Sequence, residues 1–130
     1  MLETFAKYGA RGVKIVLISS NDAVQYPDDG FTNMKAHAES WKAALNGVEL
    51  PYLYDESQTV AKAFDAACTP ECYLFLGGKL AFHGAPNSSP KDPNAARTEF
   101  LRTALEQATT GRPISPPYCH PIGCSIKWKS

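Results

Sequence analysis

The run Val13-Lys14-Ile15-Val16-Leu17-Ile18, broken only by Lys14, constrains this chain more than any other feature. Followed by Ser19-Ser20-Asn21-Asp22, it suits a strand buried on both faces of a parallel sheet, and such a strand requires neighbours. Before it, Leu2, Phe5 and Ala6 share one helical face that Gly9 and Gly12 terminate, so the chain is expected to open within a helix.

After a polar loop through Tyr26-Pro27-Asp28-Asp29-Gly30, Met34, Ala38, Trp41 and Leu45 recur at helical intervals, with Thr32 or Asn33 placed to cap. Pro51 to Tyr54 is a short extended segment. Asp55 with Gln58 resembles a capping box for a helix with Val60, Ala61, Phe64 and Ala67 inward. This strand and helix alternation is the pattern of an α/β layer fold. Cys72 to Leu76, Gly77-Gly78 and Lys79 to His83 read as a β-hairpin, because two glycines supply the positive φ angles of a two-residue turn. Asp92 is placed to cap a final helix, with Pro93 in its first turn and Phe100, Leu101, Ala104, Leu105 and Ala108 as its buried stripe. The prolines at 113, 116, 117 and 121 exclude a long helix beyond it. The expected organisation is one domain over residues 1–112 and an extended tail over 113–130 packed on it.

At 130 residues and 44% apolar content the chain supports one core without metal or disulfide staples. Thirteen basic residues balance thirteen acidic ones and are scattered, which leaves no electrostatic footprint for nucleic acid or an anionic membrane. With no apolar leader at Met1 to Lys7 and no run near the ~20 residues of a membrane span, the expectation is a soluble, cytoplasmic chain.

Cys68, Cys72, Cys119 and Cys124 are therefore expected as reduced thiols. Their C-x3-C and C-x4-C spacings do not form the tight knuckles of structural zinc, and no metal or cofactor is expected. Cys72 shares strand parity with Leu74 and Leu76, which makes it a buried, inert thiol. Cys119 and Cys124 bracket a turn-prone loop short enough for a disulfide, although a reducing cytosol favours free thiols. His37, His83 and His120 show neither metal nor triad spacing, and solvent-exposed or packing roles are expected for them. Trp128 in the tail is expected to pin that segment down.

The helix, strand, helix, short strand, helix, hairpin, helix order, together with four local sequences, resembles the peroxiredoxin-like redoxin branch of the thioredoxin superfamily. These sequences are Ser20-Asn21-Asp22-Ala23, Pro51 to Glu56, Cys68-Thr69-Pro70 and Gly123-Cys124-Ser125-Ile126-Lys127-Trp128-Lys129. The last is the most specific. The resemblance is related to the alkyl hydroperoxide reductase/thiol-specific antioxidant group, and its family activity is thiol-disulfide or peroxide redox chemistry. It implies an incomplete thioredoxin-like three-layer fold: a mixed sheet with a C-terminal β-hairpin, helices on both faces, and the first core strand absent. It also implies a cis Thr69-Pro70 bond that exposes backbone to a protein or peptide strand, making Thr69 and Pro70 substrate-binding candidates.

Members of that branch carry a C-x-x-C between the first core strand and first helix, and this chain has no such segment. Dithiol exchange needs a low-pKa thiolate, commonly at a helix N-terminus, with a resolving thiol nearby. The expected function is thus a degenerate or truncated module with lost or reduced dithiol activity. The alternative is a one-cysteine thiol or peroxide oxidoreductase using Cys68 or Cys124. Omitting one strand between 13–18 and 72–76 would leave them ~10 Å apart, twice the ~4.8 Å interstrand spacing, so either the two strands close up and pair directly, antiparallel, or a homo-oligomer or added strand completes the sheet, and the second is the expectation.

Overall fold

A computed structural model describes the backbone of residues 1–130 and every side chain except that of Pro93. It is a mixed α/β chain with four α-helices and three two-stranded sheets among the described residues. No helix is long and apolar enough to cross a membrane. Two compact units are present, Met1–Asp65 with Lys127–Ser130, and Ala66–Ile126.

In the first unit, α1 (Leu2–Ala10) buries Thr4, Phe5 and Tyr8, so its inner face is turned from the expected Leu2/Ala6 side. A Cβ on Gly9 would overlap Val48, which allows close helix packing there. The apolar run contributes only the short strand β1 (Leu17–Ser19), which pairs in parallel with β2 (Tyr52–Tyr54). Burial on both faces does not occur. Val16 and Ile18 are 49% and 44% exposed and Leu53, opposite Ile18, is 52% exposed, so one face of this ribbon is bare. The run is apolar enough for a two-sided core, but a two-stranded ribbon covers only one side.

Between these strands, α2 (Phe31–Leu45) keeps the expected stripe, with Met34 and Leu45 buried and Ala38 and Trp41 partly buried. Its N-cap is Gly30 rather than Thr32 or Asn33; the Asn33 amide instead donates to the Asp28 carbonyl. The helix α3 (Thr59–Ala63) is short, and of its expected inner face only Ala61 is buried; Val60 and Phe64 are exposed.

The proposed capping box is replaced by a division of labour. The Asp55 carboxylate accepts from the Val60 and Ala61 amides and the Ser20 hydroxyl, at 3.2, 2.9 and 2.7 Å. Burial pushes its pKa up, but these donors outweigh that and hold the carboxyl below its ordinary value. Gln58, with φ 64°, turns its buried amide the other way. Its Nε2 donates to the Ser20 and Lys127 carbonyls at 2.7 and 2.9 Å, and its Oε1 accepts from the Lys129 amide at 3.0 Å. Asn21 Oδ1 accepts from the Lys127 amide at 2.8 Å. The end of the chain is thus held through its backbone by Gln58 and Asn21, while Trp128 is 41% exposed and is not the pin.

The second unit is built on the hairpin of β4 (Cys72–Leu76) and β5 (Lys79–Gly84), turned by Gly77 and Gly78 at φ 59° and 80°. Register shifts between Leu74 and Phe75: Phe75 faces Leu80 but Leu74 faces Phe82, leaving Ala81 as the extra residue of a bulge. Phe82 is buried, whereas Leu76 is exposed despite its parity with Cys72 and Leu74. The helix α4 (Phe100–Thr109) buries Leu101, Ala104 and Leu105. It starts later than Asp92-Pro93 implies, because residues 93–95 form a separate 3₁₀ turn. Two-residue strands β3 (Cys68–Thr69) and β6 (Cys124–Ser125) pair antiparallel. Residues 117–119 run beside β5: the His83 amide donates to the Pro117 carbonyl and the Cys119 amide to the His83 carbonyl, both at 3.1 Å.

Candidate functional site

Both peptide bonds Thr69–Pro70 and Ser115–Pro116 are cis. Cys68 lies opposite Ser125 and Thr69 opposite Cys124. Directly opposed residues project to the same face and neighbours along a strand to opposite faces. Cys68 and Cys124 therefore share one ribbon but point away from each other, Cys68 partly buried and Cys124 exposed. The structure brings these two candidates together as strand partners without making them a dithiol. A Cβ on Gly123 would overlap the Thr69 carbonyl, so the tail lies directly on the backbone preceding Pro70 and takes one edge of β3.

The best-organised polar group in this unit is Glu71, next to Pro70. One carboxylate oxygen accepts from the Ala67 and Cys68 amides at 2.9 and 3.1 Å. The other accepts from the Tyr73 hydroxyl at 2.7 Å and contacts His83 Nε2 at 2.6 Å. Its side chain is only 3% exposed. Burial pushes the Glu71 carboxyl up, but the Ala67 amide, Tyr73, His83 and the Cys68 amide together hold it below the ordinary glutamate value. Facing an ionised carboxylate, Nε2 must carry the imidazole proton.

Tyr73 and His83 are opposed across β4–β5, so their rings lie on one face and stack at 4.4 Å between centroids. Tyr118 meets His83 edge-on at 5.5 Å. The imidazole, with 24% of its side chain exposed, is an oriented proton donor or acceptor that solvent reaches. Glu71 thus does two things at once: it fixes the backbone that carries Cys68 and it orients His83.

The other two thiols are set apart from this chemistry. Burial, then a Cys119 thiolate and Glu71, push the Cys72 thiol up to about 12, so it stays protonated at neutral pH. Burial also raises Cys119. Among the described residues no group of three or more histidine, cysteine or acidic side chains is placed to hold a metal ion, and all four cysteines are free.

No family model and no curated protein matches this chain. Solved structures do. An uncharacterized conserved protein from Geobacillus kaustophilus is 42% identical, with a TM-score of 0.81 over 98% of this chain and 68% of its own. The chain belongs to the same family as that protein. A hypothetical protein from Sinorhizobium meliloti 1021 is 32% identical, with a TM-score of 0.82 over 99% of this chain and 71% of its own. Neither description names an activity, so family membership brings a shared fold and no assigned chemistry.

Glu71 is not among the residues singled out from the sequence, and His83, expected in an exposed or packing role, packs on Tyr73 and also pairs with Glu71. Glu71 immediately precedes β4 and Tyr73 lies two residues on, a spacing that carries the strand's alternation back to Glu71 and is a usable signal. The contribution of His83 had none, because a regular hairpin turned at Gly77-Gly78 would set Tyr73 opposite Phe82; the bulge at Ala81 brings His83 there instead.

Proposed function

We propose that this chain is a thioredoxin-like module of the redoxin branch whose own dithiol activity is lost or much reduced. The placement of the thiols carries this reading. Cys68, Cys72 and Cys124 lie in strands and Cys119 in a loop, so among the described residues none stands in the first turn of a helix, where the dipole would favour a thiolate. Cys68 and Cys124, side by side in the β3–β6 ribbon that ends at Thr69–Pro70, face opposite ways. The finer architecture, one mixed sheet lacking its first core strand within three layers, belongs to the same proposal. It draws support from the parallel β1–β2 pair, the hairpin and the cis Thr69–Pro70 bond.

A partner strand fits this reading at two places. A peptide beside Thr69-Pro70 would take the place of β6, which pairs with Thr69, since Glu71 holds the Cys68 amide on the other edge of β3. A second copy of the chain would add along β1, whose ladder is with β2 and whose Ile18, with Val16 just before the strand, is uncovered.

The test is dithiothreitol-driven insulin reduction by the purified chain, with little or no turnover expected. Turnover comparable to an ordinary thioredoxin, abolished by Cys68→Ser or Cys124→Ser, would overturn the proposal. The exposure of Cys124 favours a second reading, a one-cysteine oxidoreductase. It requires one thiol, Cys124 or Cys68, to alkylate much faster than the rest at neutral pH, which intact-mass kinetics reads directly.

A further inference from the structure

His83 carries a ring nitrogen that no other described residue uses. Tyr73, His83 and Tyr118 form a row across three adjacent segments, because Tyr73 opposes His83 in the hairpin and Tyr118 bridges to His83 on the other edge of β5. The row fixes the imidazole from both sides, with the Tyr73 ring stacked at 4.4 Å and the Tyr118 ring edge-on at 5.5 Å. Nε2 donates its proton to Glu71 at 2.6 Å, so the lone pair of the neutral imidazole sits on Nδ1. Nδ1 itself has no hydrogen-bond partner among the described residues. No buried side-chain nitrogen or oxygen among those residues lacks a partner, so an unpartnered Nδ1 must lie in contact with solvent.

We infer that His83 is a nucleophilic site for acyl transfer, which takes the acyl group of a small activated ester onto Nδ1 and passes it to water. The inference uses no cysteine and stands whether or not the chain is a redoxin.

The arrangement is that of an activated nucleophile: a free lone pair on a ring that a third group orients. Nδ1 bonds to the ester carbonyl carbon, and the alcohol part leaves as its anion. An aryl oxide leaves without needing a proton, and the Tyr118 ring, 53% exposed beside His83, gives an aryl group a surface to stack on. The ring becomes a positively charged acylimidazolium whose Nε2 proton stays on Glu71. That carboxylate is already ionised and is fixed by two backbone amides and the Tyr73 hydroxyl, so it meets the developing charge without reorganising. Water then attacks the carbonyl carbon and the neutral imidazole departs with Nε2 still protonated. In total one ester and one water become one carboxylate and one aryl oxide, and two protons pass to solvent.

The first experiment needs no variant. The full chain is treated with limiting diethyl pyrocarbonate, an activated acyl donor, in mildly alkaline buffer where imidazoles are uncharged, and the label on each histidine is followed by peptide mass mapping. His37 and His120 are exposed and His83 only partly so, and accessibility alone would therefore label His83 last. Expected is the reverse, His83 labelled several-fold faster than either; His83 labelled no faster than the other two would overturn the inference. The second experiment follows nitrophenolate released from p-nitrophenyl acetate. Turnover should exceed that of free imidazole at equal concentration, vanish in His83→Ala and persist in His37→Ala and His120→Ala. Glu71→Gln, which acts only through His83, should lower kcat several-fold at unchanged KM in samples that circular dichroism shows to be folded. Turnover no greater than free imidazole's, or turnover that survives His83→Ala, would overturn the inference. Loss with Cys68→Ser or Cys124→Ser in place of His83→Ala would do so too, and would assign the acyl group to a thiol, in favour of the one-cysteine reading. Insulin reduction bears on the function proposed above and leaves these results unchanged.

Discussion

Replacing Glu71 with glutamine tests whether one buried carboxylate holds the segment around Cys68. The wild-type carboxylate accepts from two backbone amides, one phenol and one imidazole. Glutamine keeps the shape but converts one oxygen into an NH2 group, which then points at two of those donors. Hydrogen bonds to a charged acceptor are worth about 1.5–3 kcal/mol each, and a buried donor left unpaired costs about 1–3 kcal/mol. Some donors will re-pair with the remaining oxygen, so the net destabilisation is expected at about 2–4 kcal/mol at pH 7. The folded pKa of Glu71 lies below its unfolded value of about 4.3, so its contribution is present above that pH and lost as pH falls through the folded value. The gap between parent and Glu71→Gln should therefore hold from pH 7 to about pH 5 and narrow below about pH 4. Urea denaturation followed by far-UV circular dichroism reads the gap, and hydrogen exchange at the Ala67 and Cys68 amides reads the local effect, with faster exchange expected in the variant. A difference under about 0.5 kcal/mol at pH 7, or a gap unchanged at acid pH, would refute the reasoning.

Two further outcomes follow from the first unit. Gln58→Leu leaves the Ser20 and Lys127 carbonyls and the Lys129 amide without their partner, at a cost of about 2–4 kcal/mol. Trypsin should then cut after Lys127 distinctly faster than in the parent chain, and an unchanged cutting rate would show that Gln58 does not hold the tail. Asp55→Ala removes the acceptor for the Val60 and Ala61 amides and should destabilise by about 1–2 kcal/mol at pH 7. Because the folded pKa of Asp55 is lowered, that loss should shrink as pH falls through the carboxylate range; an equal loss at pH 7 and pH 3, by urea titration, would count against it.

Features governed by nearest neighbours were legible in the sequence. The Met34, Ala38, Trp41, Leu45 stripe marks α2, and Gly77-Gly78 marks the hairpin, because a helical period and a positive-φ turn are local requirements. Cys68 and Cys124 were legible as candidates, but their opposed orientation was not, since it depends on pairing two segments more than fifty residues apart in sequence. The exposure of Val16 and Ile18 was equally hidden: an apolar run states what a strand can bury, and the rest of the fold decides what covers it.

The sequence by itself determined the local geometry, including where helices recur, where the hairpin turns and which residues carry sulfur. Tertiary structure alone decided who meets whom, and most of that hangs on one residue. Without the bulge at Ala81, Cys72 would face His83 and Tyr73 would face Phe82. With it, Tyr73 stacks on His83 beside Glu71, and Cys72 faces the glycine whose empty place Cys119 fills. The side-chain period of a strand is two, so a slip of one residue exchanges its faces, and periodicity read along one strand cannot reveal a slip against its neighbour.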